Sequence, residues 1–465
     1  MPTLPTDVVA RLTAALAPID TAVIARHPGD PGTRQPVHTC YLPADRMRPD
    51  IVLAWGEAAR ELLAARGTDP ARLAAATGGD PDPVIAEPVH AHVLHALTVE
   101  PVQDLRIDLE DGYGVRMDDT EDADAVAAAV ALRAAAAADA LPASYGLRMK
   151  SLDPALRDRG LRSLDLFLTA LAGDDGPPAG LVLTLPKVSA AAQVAVFADL
   201  LAELEQRLDI APVPFEVQVE TPAAVLALPA LVETGLALGP GRLVGLHVGT
   251  YDYSAALGIT AAHQASDHPA VEYATTLMQL VTAGTGIRVA DGSSNLLPIE
   301  SPTDATEGTA TTEGTATTEG TATTEGTATT EGTATVEDTA GRGVHRAWRR
   351  HAELVRRAWY RGIYQGWDLH PGQLVSRHAA VAGCLLAGLD EALGRLSSYA
   401  TAYATTYATA RHPGAVADEP ATGRALAGHV LRALDAGLLD DASLTAAGLD
   451  RVTVNRFGGR PVAAG

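Results

Sequence analysis

The sequence predicts a (β/α)8 barrel, and three observations carry that prediction. Eight short apolar runs recur along the 465 residues. Alanine-rich stretches of helical pattern separate them, as in a parallel sheet wound with crossover helices. No glycine-rich phosphate loop follows the first run, which weighs against a dinucleotide-binding, doubly wound sheet, the competing arrangement.

The runs, in order, are "HTCYLP" (38–43), "DLRIDLE" (104–110), "SYGLRM" (144–149), "LVLTLP" (181–186), "FEVQVE" (215–220), "LVGLHV" (243–248), "GIRVAD" (286–291) and "YQGWDLH" (364–370). The helix "TEDADAVAAAVALRAAAAADAL" opens at Thr120 with a cap and acidic first-turn residues. Another, "SAAAQVAVFADLLAELEQRL", opens at Ser189. Residues 1–37 read as an N-terminal helical segment, 38–385 as the barrel, and 386–465 as a helical appendage with a tail. Within the last region, "SYATAYATTYATARHPG" (398–414) reads as an irregular linker and 418–457 as helical.

Residues 306–335 are five copies of "TEGTAT". Thr, Gly and Glu at this density bury too little apolar surface to fold alone, so 302–342 reads as a disordered insertion. It falls between the seventh strand and the helix "HRAWRRHAELVRRAWYRG". A neutral expansion in a tolerant loop and a mobile, partner-binding lid on the catalytic face are both open readings.

Hydrophobic residues make up 47% of the chain, enough for a sizeable core, and the net charge is −22. A pI of about 5.0 argues against nucleic-acid and anionic-membrane partners. Two cysteines, Cys40 and Cys384, make no disulfide framework and point to a reducing compartment. No basic-then-apolar leader and no uncharged membrane-length run are evident, so a cytoplasmic protein is expected.

The strand "FEVQVE" places Glu216, Gln218 and Glu220 on one face. The second strand does the same with Asp104, Arg106, Asp108 and Glu110. If the apolar faces meet the helices, these polar faces line the barrel. Buried charges are costly unless paired or bound to metal. An interior salt-bridge network around Arg106 is one outcome. A cation site is the other: Glu220 ends strand five, and Asp252 follows strand six in "GTYDY". Two such carboxylates can share Mg2+, with water and substrate oxygens completing its octahedron. Glu220 could instead cap the helix opening at Thr221–Pro222. Arg148, at the end of strand three, suits a substrate carboxylate in two-pronged fashion, or pairs with Asp108 or Glu110. Lys187 suits either a Schiff-base or a structural role. His247 and His370 are candidate bases or structural hydrogen-bonders.

In this order the motifs resemble the HpcH/HpaI aldolase/citrate lyase superfamily, its CitE-like branch in particular. They are "YLPADR" (41–46), "DLED" (108–111), "LRMKS", "LPK" (185–187), "ET" (220–221), "GTYDYSAALG" (249–258) and "WDLHPGQL" (367–374). They run from about residue 38 to 380, interrupted by the repeat. Ala44 stands where the family has glycine, and Met149–Lys150 replace its usual small polar residue. Malate synthase has related pieces in "LPK", "VETPAA" and "VGTYDY".

The resemblance implies Glu220 and Asp252 as Mg2+ ligands, with Mn2+ as the alternate ion. It implies Arg148, Glu110 and Asp108 as catalytic residues, the two carboxylates holding metal-bound waters while Arg148 binds the substrate carboxylate or enolate. Arg46 and Thr250 are expected on the substrate. The expected activity is a Mg2+-dependent carbon–carbon lyase acting on a small oxo- or hydroxy-acid, or its CoA ester, in a homo-oligomer. The alternatives are a malate-synthase-like Claisen condensation of acetyl-CoA with an oxo-acid, and a non-catalytic metabolite-binding barrel.

Overall fold

The computed structural model describes residues 3–300, 341–406, 410–411 and 417–461. Most of the predicted insertion, 301–340, lies outside these residues.

Eight parallel strands close into a barrel in chain order. They are β1 (His38–Pro43), β2 (Asp104–Asp108), β3 (Ser144–Arg148), β4 (Leu181–Leu185), β5 (Phe215–Val219), β6 (Leu243–Val248), β7 (Arg288–Ser293) and β8 (Gln365–Asp368). Pairing of His38 with Gly366 and of Cys40 with Asp368 joins β1 to β8 and removes both sheet edges. The doubly wound alternative is therefore excluded.

β3, β4 and β5 each end one residue earlier than the sequence reading and β8 is shortened at both ends; two further strands differ for identifiable reasons. β2 stops at Asp108, two residues early, because that side chain accepts the Glu110 and Gly112 amides at 2.9 and 2.8 Å. This local turn competes with the strand ladder. β7 starts and ends two residues late, because Gly284 and Gly286 both take positive φ, 75° and 83°, and hold the turn before it.

An N-terminal helix, α1 (Thr6–Arg26), contributes no buried residue. By length and composition it could cross a membrane, although Arg11 and Asp20 interrupt it, consistent with the absence of an uncharged run. Three helices, α2 (Ile51–Arg66), α3 (Pro70–Thr77) and α4 (Pro83–Val99), fill the long β1–β2 connection. Around the barrel follow α5 (Asp118–Ala137), α6 (Arg157–Ala172), α7 (Ala191–Leu208), α8 (Pro222–Ala237), α9 (Thr250–Ala256), α10 (Pro269–Thr282), α11 (Arg342–Tyr360) and α12 (Pro371–Leu386). The chain then forms α13 (Leu389–Thr406), α14 (Pro420–Asp435), α15 (Asp441–Ala446) and α16 (Arg451–Gly458). Residues 398–406 thus continue α13, where the sequence reading had an irregular linker. Alanine is the strongest helix former, and the two tyrosines of this stretch, Tyr399 and Tyr403, do not break the pattern.

The core lies between strands and helices. Leu105, Ile107, Leu147, Phe215, Val217 and Leu246 point outward from the barrel and are buried in one continuous cluster. Fully burying one such side chain contributes about 1.5–3 kcal/mol. A second cluster joins Leu396, Leu431 and Val454 of the C-terminal helices to Val355 and Val381.

The inward faces are polar and largely paired, although Asp104 Oδ1 and Arg106 Nε have no partner. Arg106 Nη2 lies 2.9 Å from Asp104 and 3.2 Å from Glu216. Thr184 donates to Glu216 at 2.6 Å, and His247 Nε2 is 2.8 Å from the other Glu216 oxygen. Trp367 Nε1 donates to His247 Nδ1 at 2.9 Å. Burial alone would raise the Glu216 pKa; Arg106 and His247 outweigh it and hold it at about 2. Gly146 makes room for this network: a β-carbon there would sit 1.7 Å from the Val182 carbonyl oxygen and 2.7 Å from Arg106 Nη1. The network expected around Arg106 is present, and it accounts for Glu216.

Candidate functional site

The C-terminal ends of the strands surround a cavity of about 540 Å3, lined among others by Tyr41, Arg148, Gln218, Glu220, Thr250 and Trp367. Barrel enzymes place their chemistry at this face.

Glu220 reaches it because it is not needed as a cap. Thr221 caps α8 instead, accepting the Ala224 amide at 3.0 Å, with Pro222 at the first helical position. Glu220 is 1% exposed. Its carboxylate accepts the Lys187 amide at 2.6 Å and the Gln218 side chain at 2.6 Å. Gly249 opens the space beside it: a β-carbon there would lie 2.4 Å from Glu220 Oε2. Burial raises the Glu220 pKa to about 8, and Asp252 and Glu110 add to this against the opposing pull of Lys187 and Arg148. A carboxyl so raised is a negative charge short of positive neighbours.

Carboxylate oxygens of Asp111, Glu220 and Asp252 all lie within 4.8 Å of one another. Asp252 sits in the first turn of α9, and both aspartates are about half exposed at the mouth. The Lys187 ammonium holds this rim together, 2.9 Å from Glu110, 3.0 Å from Asp111 and 3.1 Å from Asp252. To do so Lys187 adopts φ of 51°, a left-handed conformation rare outside glycine. Burial works against its charge, but Glu220 and Glu110 more than compensate and raise its pKa. It is a charged partner, unlike a Schiff-base lysine, whose pKa must fall.

Arg148 is held rigidly. Its Nε and Nη2 donate to the two oxygens of Asp108 at 2.7 and 2.6 Å. Its guanidinium carbon is 4.8 Å from the Tyr41 ring centre and 5.9 Å from that of Trp367. The two-pronged edge is therefore occupied by Asp108. What remains is Nη1, 3.4 Å from the Gln218 oxygen and 3.6 Å from Glu110.

The structure brings Glu220, Asp252, Arg148, Asp108, Arg46 and Thr250 to one cavity. Arg46 stands exposed at the rim. Thr250 is buried, and its hydroxyl has no partner. Glu110 lies behind Lys187, its pKa raised to about 7, chiefly by burial. The two histidines are otherwise engaged. Both ring nitrogens of His247 are bonded within the barrel interior. His370 caps α12, accepting the Gly372 amide at 3.1 Å. The sequence reading missed Asp111 as a third clustered carboxylate. Its signal was the last letter of "DLED", one residue past the alternation that singled out Asp108 and Glu110.

A closed eight-stranded barrel with an acidic rim and one clamped arginine defines the class of protein. The chain belongs to a family described as "Domain of unknown function (DUF6986)", which matches residues 16–460. No curated protein matches the sequence. Among solved structures, a citrate lyase from Burkholderia xenovorans LB400 is similar, with 18% identity, a TM-score of 0.54, and coverage of 89% of this chain and 96% of that one. A Haloferax volcanii malate synthase magnesium/glyoxylate complex shares 15% identity over 74% of this chain and 75% of that one, at a TM-score of 0.45. The citrate lyase beta subunit of M. tuberculosis, complexed with oxaloacetate and magnesium, shares 16% over 77% and 99%, at 0.37. The first of these similarities supports the barrel fold.

Proposed function

We propose that this chain is a carbon–carbon lyase dependent on a divalent cation, Mg2+ or Mn2+, acting on a small oxo- or hydroxy-acid or its CoA ester. The observation that carries the reading is the cluster of Asp111, Glu220 and Asp252 beside Arg148 at the catalytic end of the barrel. Hard carboxylate oxygens are the donors such ions take, and the raised Glu220 pKa marks a site that gains from added positive charge.

Asp111, Glu220 and Asp252 would hold the cation. Bound there, it supplies Lewis acidity to the oxygens of the substrate. Arg148 offers Nη1 to the substrate carboxylate and to the negative charge that grows as the carbon–carbon bond breaks and an enolate leaves. Asp108 keeps that arginine in place, so no reorganisation is needed when charge develops. The Thr250 hydroxyl has no protein partner but is buried, so it would meet a substrate oxygen only where the groups covering it give way. Tyr41 and Trp367 form an aromatic floor that excludes water beneath Arg148. With His247 and His370 both engaged, proton transfer falls to solvent or to the substrate itself.

The test is a screen of oxo- and hydroxy-acids, with and without CoA esters, for cleavage in the presence of Mg2+ or Mn2+. Glu220→Gln should abolish both turnover and calorimetric cation binding. A variant that stays active without metal would overturn the reading. Glyoxylate-dependent release of free CoA thiol would move the chain to the condensation reaction.

A further inference from the structure

A second cavity, of about 400 Å3, lies at the opposite end of the barrel, where β1, β7 and β8 begin and the C-terminal helices close over them. In a chain of net charge −22, its wall carries four arginines, Arg34, Arg288, Arg432 and Arg460, against two aspartates, Asp30 and Asp435.

Two of the four are neutralised. Arg460 pairs with Asp435 at 2.6 Å and with Asp30 at 3.5 Å. Arg34 pairs with Glu100 at 2.7 Å. The other two have no carboxylate within ion-pair distance among the described residues. Arg288 donates only to neutral oxygens, the Thr33 carbonyl and hydroxyl and the Arg34 carbonyl. Arg432 donates to the Gly428 carbonyl at 2.8 Å and stacks 3.6 Å over the Tyr364 ring. Burial pulls both guanidinium groups below their ordinary pKa; Arg460 adds to the effect, while Asp30 and Asp435 in the same wall oppose it without reversing it. Trp359 also lines this cavity, and its buried indole N–H has no acceptor.

Half-buried guanidinium groups with no carboxylate in contact are costly to the free protein and inexpensive to satisfy with one ligand. The geometry points to an oxyanion-binding site here, taking a phosphate or small polycarboxylate group between Arg288 and Arg432, with the Trp359 N–H as a further donor. The site joins the barrel to α14, so its occupant would bind both. It requires no metal and is independent of the reaction proposed above.

The experiment uses the full chain in EDTA at constant ionic strength, titrated with inorganic phosphate, pyrophosphate or citrate, with sodium chloride as control. Thermal shift and tryptophan fluorescence are the readouts. Saturable binding of at least one oxyanion is expected, and which one it is separates the phosphate from the carboxylate class. Arg288→Gln and Arg432→Gln should each weaken binding about tenfold or more, the loss expected for one charge-assisted contact. Trp359→Phe should reduce the fluorescence response, a check on the wild-type background should an arginine variant fold poorly. Glu220→Gln should leave binding unchanged. Three results would each overturn the proposal: no saturable binding of any probe, binding that survives both arginine substitutions, or binding lost in Glu220→Gln.

Discussion

Glu220 pairs a functional advantage with a stability cost. Its pKa is raised to about 8 by burial among other carboxylates. A carboxyl whose folded pKa is raised destabilises the fold increasingly as pH climbs from its unfolded value toward the folded one. Glu220→Gln removes that cost and keeps an acceptor and a similar shape. In metal-free protein at pH 8–9 the variant should therefore be the more stable, by about 1–2 kcal/mol, read as a higher Tm. In the same variant, saturating Mn2+ should give no thermal shift, while the wild type should gain one. A variant less stable than wild type at that pH would show that Glu220 is instead held by its Lys187 and Gln218 contacts. The candidate residues were legible because each ends a strand or opens the turn after it. The rearrangements among them were not. That Asp108 occupies the forked edge of Arg148, and that Lys187 bridges three acids, depend on distances across strands that no spacing rule supplies.

At the scale of a strand, β5 and β2 were legible from alternation alone, since a barrel interior imposes the same period on polar residues as on apolar ones. Their partners were less so, because Thr184, His247 and Trp367 come from three other strands. This interior layer sets the acid response. Glu216 has a folded pKa of about 2 against an ordinary 4.5. A lowered carboxyl contributes stability that is full above its unfolded pKa and lost as pH falls toward the folded one. Wild-type stability should thus decline between about pH 4.5 and 2, and part of that slope should vanish in Glu216→Gln. Urea midpoints at pH 5 and 3 measure it. Gly146 is the steric counterpart. Gly146→Ala drives a β-carbon into the Val182 carbonyl oxygen and Arg106, and should cost about 3 kcal/mol or more, seen as a lower urea midpoint or loss of soluble protein. A tolerated alanine would mean that β3 and β4 can part.

Over the whole molecule, the repeat is an addition to a barrel whose strand count and order are complete among the described residues. Its flanks meet: the Gly341 amide donates to Glu300 at 3.2 Å, and Glu300 also pairs with Arg66 of α2 at 2.7 Å. Residues 301–340 therefore leave and return at nearly one point, between β7 and α11. A connection of about four residues can span that gap. Closing a connection of about 40 residues costs more entropy than closing one of about four, by about 2 kcal/mol from the logarithmic dependence on length. The composition of the repeat offers little apolar burial to offset this. Replacing 301–340 by Gly-Ser-Gly-Ser should accordingly raise stability by up to about 2 kcal/mol, measured by urea unfolding, and leave Mn2+ affinity unchanged, measured by calorimetry. The insertion still follows β7, whose Ser293, with Asn295 two residues on, lines the cavity beside the carboxylate cluster. A shortened protein with intact cation binding but a raised KM in the cleavage assay would assign the repeat to substrate capture. One with weakened cation binding would show that it supports the carboxylate rim itself.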